Sequence, residues 1–235
     1  MIWTELLDRL FADQHAVTCE GDLLRGSAQL DGQTLTLVGT TGHAAIGVEL
    51  ALAQARAVLD TVREHPGRAI LLLVDTQGQR LRRRDELLGI NRYMAHMGLC
   101  IELARQRGHR VLGLVYDQAL SGGFITSGLI ADACYALPEA EIRVMRLPAM
   151  ARVTKIDEAR LAALAESNPV FAPGVENYVA MGGVRALWRG DLAVQLRAAL
   201  AHTTTPPTTD ERARDGAIRG GRQLAADVAQ RVAQA

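Results

Sequence analysis

The sequence predicts an α/β fold, in which helices pack against a sheet of largely buried strands. Three observations carry this. Residues Ala69–Val74 and Val111–Tyr116 are continuous apolar runs rich in branched side chains, the pattern of strands covered on both faces. Longer stretches with apolar residues at helical spacing lie between them. Strand and helix patterns then alternate over most of the chain, an order that implies right-handed crossovers. With 235 residues, 49% of them hydrophobic, the chain can bury one large domain, or one domain and an appendage.

The elements follow in order. Trp3–Phe11 has the spacing of an amphipathic helix. Ala28–Leu30 and Thr34–Gly39 read as strands joined by a tight turn at Asp31-Gly32. Gly39–His43 is a loop. Ile46–Glu64 predicts a long helix with Leu50, Ala53, Ala57, Val58 and Val62 on one face, stopped by Pro66-Gly67. Strand Ala69–Val74 ends in Asp75-Thr76-Gln77-Gly78. Asp85–Arg107 is the next helix, with Gly108 as its cap. Strand Val111–Tyr116 leads through a short loop, closed by Ser121-Gly122-Gly123, into a buried helix over Phe124–Ala131. Short strands at Ala133–Leu137 and Glu141–Met145 follow. Residues 148–188 read as helical, interrupted by Pro169 and Pro173, and Asp191–Leu200 as a further helix. Residues 203–210, with Pro206-Pro207 among threonines, read as a linker, and Glu211–Ala235 as one polar helix. The division is therefore a domain over 1–202 and an appendage over 203–235.

Composition excludes several functions. The net charge is zero, which argues against nucleic acid and anionic membrane surfaces as partners. Lys155 is the only lysine among 26 basic residues. Cys19, Cys100 and Cys134 form neither a metal pattern nor a disulfide framework, and are expected as core residues in a reducing, cytoplasmic setting. The first residues lack the basic start of a signal peptide, and no apolar run is long enough to span a membrane.

Active groups of such folds sit in loops at the carboxyl ends of strands. Two stand out, Asp75–Arg84 and Asp117–Gly123. A Gly-Gly pair where a strand turns into a buried helix lets a ligand approach the main chain. The first N–H groups of a helix lack intrahelical partners, and the dipole there favours negative charge. The N–H groups of Gly123 and Phe124 are thus candidate donors to a developing oxyanion, with Gly122 permitting the approach. The competing reading is a tight turn that packs a small-residue helix on a sheet.

Residues VDTQGQ (74–79), VLGLVYDQALSGGFITSG (111–128) and ADACYAL (131–137) together resemble the carboxyltransferase members of the crotonase superfamily. Asp75, Thr76 and Gly78 match that family's aspartate-threonine-proline-glycine loop, with Gln77 where proline is usual. Ser121-Gly122-Gly123 matches its glycine turn, and Met181-Gly182-Gly183-Val184 a later one. The stretches 42–60, 77–98 and 168–184 are more specific. They resemble the gamma subunit of biotin-independent malonate decarboxylase, and the departure at Gln77 fits that family too.

The resemblance implies a crotonase-like (ClpP/crotonase) spiral of ββα units, of the carboxyltransferase alpha-half type. It implies a lyase subunit that works with a homologous beta subunit on a malonyl thioester, giving the acetyl thioester and carbon dioxide. The substrate would be carried by the CoA-derived prosthetic group of an acyl carrier protein, which an acyl-carrier transferase subunit also serves. No cofactor or metal is expected on this chain. Asp75, Thr76, Gly78 and Ser121 would border the substrate. Arg82, Arg83 and Arg84 would meet phosphates or an acidic carrier protein, the alternative being a solvated basic run. His43 and His96 are candidate acid–base groups, although isolated histidines are more often structural. Ser121 as a nucleophile of the Clp peptidase type would need a histidine and an acid in reach. Two further functions stay open: the alpha-type carboxyltransferase half of an acetyl-CoA carboxylase, and a non-catalytic half that only completes its partner's pocket.

Overall fold

The structure, a computed structural model, describes residues 1–145, 147–167, 174–202, 210–221 and 224–235. It opens with helix α1 (Trp3–Phe11) and three antiparallel strands, β1 (His15–Glu20), β2 (Leu23–Leu30) and β3 (Gln33–Thr40). The β2–β3 turn is the Asp31-Gly32 pair, at φ 51° and 80°, the positive values that a two-residue hairpin of this hand requires. β1 was not anticipated. It is an exposed edge strand, so burial leaves little apolar signature in its sequence.

Next come β4 (Ala44–Ile46), α2 (Val48–Glu64), β5 (Ile70–Gln79), α3 (Arg83–Leu88), α4 (Ile90–Gln106) and β6 (Val111–Leu120). A single α turn, α5 (Ser121–Phe124), passes into a wider π turn at Ile125–Leu129. β7 (Ala133–Ala136) and β8 (Glu141–Arg143) follow, then α6 (Leu147–Thr154), α7 (Glu158–Ser167), α8 (Val175–Ala180), β9 (Ala186–Leu187) and α9 (Leu192–Ala201). The last described elements are α10 (Arg212–Ile218) and α11 (Ala225–Gln234).

Among the described residues, nine strands form one sheet in the order β1-β2-β3-β5-β6-β7-β9. β5 and β6, ten residues each, are long enough to take two partners on their outer sides. β5 pairs with β3 through Ile70–Leu73 and with β4 through Thr76–Gln79. β6 pairs with β7 through Leu112–Val115 and with β8 through Gln118–Leu120. The β5–β6 register itself shifts between Val74 and Thr76. The two central strands therefore change partners together, at Asp75 and Asp117.

Alternate side chains of the central strands feed two cores. Leu71, Leu73, Leu112 and Leu114 pack with Leu6, Leu7 and Leu10 of α1 and Leu192 and Leu196 of α9. Ile70, Leu72 and Val111 pack with Ala55 and Val58 of α2 and Met97, Ile101 and Ala104 of α4. Coverage of both faces is why these strands read as unbroken apolar runs, each fully buried side chain contributing about 1.5–3 kcal/mol.

Several expectations need correction. Asp75–Gly78 and Asp117–Leu120 are strand, not loop, because β4 and β8 supply ladder partners that the sequence pattern does not announce. The glycine helix begins at Ser121 rather than Phe124. The Asp85–Arg107 helix is broken at Gly89, whose φ of 80° ends α3. α2 fully buries Val58 of the expected stripe together with Val48, Ala51 and Ala55, while the expected Leu50, Ala57 and Val62 pack on the core only partly buried. Cys100 and Cys134 are buried as expected, but Cys19 is exposed on the edge strand β1. Glu211–Ala235 holds two helices rather than one. Pro169, Pro173 and the Pro206-Pro207 stretch lie outside the described residues. Among those described, no helix is long and apolar enough to cross a membrane.

Candidate active site

The glycine turn is built by close backbone packing. A Cβ on Gly123 would lie 2.8 Å from the Gly78 Cα, and one on Gly78 would lie 2.9 Å from the Ser121 Cβ. Gly78 also has φ 102°, a value suited to glycine. β5 and the start of α5 thus touch through their main chains. Gly113 and Gly128 extend the seam: a Cβ on Gly113 would lie 2.6 Å from the Gly128 carbonyl oxygen, and one on Gly128 would lie 2.6 Å from Val74 Cγ2. Ser121 stands at φ 53°, a left-handed conformation uncommon for serine, at the sharp turn from strand to helix.

The capping residue of α5 is Leu120. Phe124 is therefore the fourth helical residue, the first whose N–H is directed at a carbonyl of its own helix, that of Leu120. The N–H groups ahead of that bond are those of Ser121, Gly122 and Gly123, one residue earlier than the sequence suggests. Phe124 instead supplies packing. Its ring is 2% exposed and meets Tyr178 edge-on, at 6.1 Å between centroids. Tyr178 of α8 thus props the turn.

Thr76 is buried, and its hydroxyl donates to the Ala44 carbonyl at 2.6 Å while accepting from the Gly78 N–H at 3.0 Å. It ties β4 to the bend in β5. Asp75, 3% exposed, accepts from the His43 N–H at 2.9 Å. Burial pushes its carboxyl above the ordinary range, partly opposed by the His43 N–H and by the charge of His43. The His43 ring places Nε2 3.2 Å from Asp117 Oδ1 and 3.7 Å from Asp75 Oδ1. Gln77, at the position where proline is usual, donates from Nε2 to the His43 carbonyl at 3.0 Å. A proline there could not make this bond.

A cavity of about 500 Å³ opens beside these groups, lined by His43, Gln77, Gln118, Leu120, Ser121 and Val144 among others. Asp75, Thr76 and Gly78 belong to β5, and Thr76 and Gly78 meet the glycine turn through Gly123; of the expected residues, Ser121 lines the cavity. The Ser121 hydroxyl donates to the Val144 carbonyl at 2.8 Å, so it lacks the histidine partner that a nucleophile needs. His96 lies on α4, with Cys100 as its neighbour. The arginine run is exposed on α3 and just before it. Arg82 pairs with buried Asp85 at 2.7 Å, and Arg84 pairs with Glu49. Asp85 in turn accepts from the Val48 N–H at 3.0 Å and so caps α2, which ties the run to the fold. Asp117 was missed as a site residue. Its signal was its place directly after the apolar run Val111–Tyr116, on the way to the glycine pair.

Comparison with known proteins gives the family and the fold. The family model described as malonate decarboxylase gamma subunit matches residues 41–235. A malonyl-S-ACP:biotin-protein carboxyltransferase of Malonomonas rubra is 34% identical over 182 residues, 69% of this chain and 62% of that protein. The chain thus spans less than two thirds of that relative's length. Among solved structures, a Pseudomonas malonate decarboxylase hetero-tetramer in complex with coenzyme A superposes with a TM-score of 0.79 at 25% identity, over 97% of both chains. A hetero-dimer from a Pseudomonas malonate decarboxylase gives 0.76 at 27% identity, over 97% and 96%. The fold is the crotonase-like fold of the carboxyltransferases.

Proposed function

The chain belongs to the malonate decarboxylase gamma subunit family, and from that premise we propose that it is the gamma half of a decarboxylase that turns a malonyl thioester into an acetyl thioester and carbon dioxide. Its partner is a homologous beta subunit, and the substrate arrives on the CoA-derived prosthetic group of an acyl carrier protein, charged with the help of an acyl-carrier transferase subunit. Loss of carbon dioxide leaves its electron pair on the thioester as an enolate, whose oxygen carries charge. Donors fixed before that charge develops lower the barrier, because they need no reorganisation.

The observation that carries this reading is the Gly78–Gly123 contact beside a cavity that reaches Leu120 and Ser121. It sets an N–H-rich helix start directly against the β5 main chain, with the Thr76 and Gln79 side chains beside Gly123 and Gly122. We assign Gly123 and Gly122 as the donors. Phe124, the donor expected from sequence, is replaced by Gly122 because its N–H falls to the Leu120 carbonyl. Ile125, Val144 and Met145 are exposed apolar side chains around this site, which suits coverage by a partner.

The test is carbon dioxide release from the malonyl carrier-protein thioester by the chain assembled with a beta-type half. Turnover is expected to survive EDTA and avidin; loss with avidin would favour the acetyl-CoA carboxylase reading, and dependence on a metal would overturn the reading. A complex whose turnover is unchanged by Gly123→Ala would make this chain a scaffold. Alone, the chain is expected to self-associate, and a clean, active monomer by light scattering would contradict the need for a partner.

A further inference from the structure

An enolate left by decarboxylation must be protonated at carbon. Among the described residues that line the cavity, His43 alone carries a side chain of the type that exchanges protons near neutral pH. Its setting is more restrained than a surface histidine needs. The backbone is held at φ 51° by two bonds, the His43 N–H to Asp75 Oδ2 at 2.9 Å and Gln77 Nε2 to the His43 carbonyl at 3.0 Å. The ring is half exposed, yet Nε2 is shared between Asp117 at 3.2 Å and Asp75 at 3.7 Å. Asp75 Oδ1 is buried and has no hydrogen-bond partner of its own, so the ring is the polar group it faces. Nε2 is engaged by the carboxylates, which leaves Nδ1 as the other ring nitrogen of a residue that lines the cavity.

We propose that His43 is the proton donor to the enolate carbon, with Asp117 and Asp75 as positioning residues. This rests on the decarboxylase reading above. The protonated ring gives the Nδ1 proton to the carbon that lost carbon dioxide. The enolate pair forms the new C–H bond, the thioester carbonyl is restored, and the neutral ring takes a proton from water. In reverse, neutral His43 removes a methyl proton from the acetyl thioester.

The reverse step separates proton transfer from carbon–carbon cleavage. The assembled complex is incubated with acetyl carrier-protein thioester in D2O, and methyl deuterium is followed by mass spectrometry. Carbon dioxide release from the malonyl thioester is measured in parallel. His43→Asn keeps a residue that tolerates the left-handed backbone. It is expected to slow methyl exchange by about 10²-fold or more, the usual contribution of a general acid–base group. Carbon dioxide release should fall less, since water can protonate an enolate already formed. Added imidazole should restore exchange in His43→Ala, and Asp117→Asn should give a smaller loss. Unchanged exchange in an assembled His43→Asn complex overturns the proposal but leaves the decarboxylase reading intact. Absence of carbon dioxide release from the unmodified complex defeats that reading instead. The ligand atoms of His43, Asp75 and Asp117 lie within 4.8 Å of one another; exchange that is abolished by EDTA and restored by zinc would assign the cluster to a metal and overturn the proposal.

Discussion

Two places in this molecule use glycine to bring main chains together. At the site, Gly123 and Gly78 join α5 to β5. At a second seam, Gly182, Gly216 and Gly221 join α10 to the end of α8, where an added Cβ would meet backbone oxygens at 2.1–2.3 Å. What surrounds them differs. The first contact is backed by Val74 and by Phe124 against Tyr178, with hydroxyls serving the helix carbonyls: Ser127 donates to Gly123 at 2.7 Å. The second is held by charge. Glu211 is gripped by His202, Arg185 and Arg214, while Arg219 donates to the Val179 and Val184 carbonyls at 2.8 and 3.1 Å. The same device thus makes a rigid apolar seam where chemistry is proposed, and a charge-locked joint where a terminal segment docks.

The largest expected effect breaks the first contact. Gly123→Ala puts a methyl against Gly78 backbone that cannot swing aside, at a cost of about 1–3 kcal/mol for overpacking. Thermal unfolding should show a drop of several degrees, and turnover should fall by roughly 10²-fold or more as a donor is displaced. Gly182→Ala should instead release α10 to proteolysis with less than about a tenfold loss of turnover, since its methyl meets the main chain of Arg212 and Gly216 rather than the proposed donors. Equal turnover losses would erase the distinction.

The next effect is one of pH. The His202 hydrogen bond, then those from Arg185 and Arg214, outweigh desolvation and hold the Glu211 carboxyl down to about 2. A depressed carboxyl stabilises the fold above its ordinary value of 4.5 and loses that contribution as pH falls towards 2. Asp75, raised by burial, has the opposite sign: its contribution worsens as pH rises through its folded value. Hydrogen exchange, corrected for intrinsic rates, should therefore show α10 loosening between pH 4.5 and 2 before β6 does. Simultaneous loosening would mean that the charges do not set the joint.

The smallest effect concerns binding. Changing Arg82, Arg83 and Arg84 to Ala should raise KM for the carrier-bound substrate several-fold, with kcat little changed, as for a contact remote from the reacting carbon. Part of any stability loss would come from Asp85, which loses Arg82. Unchanged kinetics would leave the run as solvated surface.

Much of this was legible in the sequence because it rests on local signals. α1 and the Asp31-Gly32 hairpin follow from spacing and turn chemistry. The β5 and β6 cores follow from continuous apolar runs. The glycine turn was visible as a pair of residues, yet its helix start was read late, since only the pairing of Gln118–Leu120 with β8 shows that β6 continues to Leu120. The same long-range pairing hid the strand character of Asp75–Gly78. The His43–Asp75–Asp117 cluster joins residues 32 and 74 positions from His43, a separation that no periodicity can bridge.

The central claim is that the N–H groups of Gly122 and Gly123 hold the enolate oxygen while that of Phe124 holds the helix. Backbone esters test it, since replacing one amide by an ester removes one N–H and adds no side-chain atom. Semisynthetic chains carrying the ester at residue 122, 123 or 124 would be assembled with the partner, checked by gel filtration, and assayed for carbon dioxide release. The account predicts losses of about 10²–10³-fold in kcat for the esters at 122 and 123, as for loss of one oxyanion donor. For the ester at 124 it predicts a loss under about tenfold, the scale of one helical hydrogen bond. Its largest loss at 124, with 122 and 123 near the unmodified rate, would contradict the account and return the donor role to Phe124.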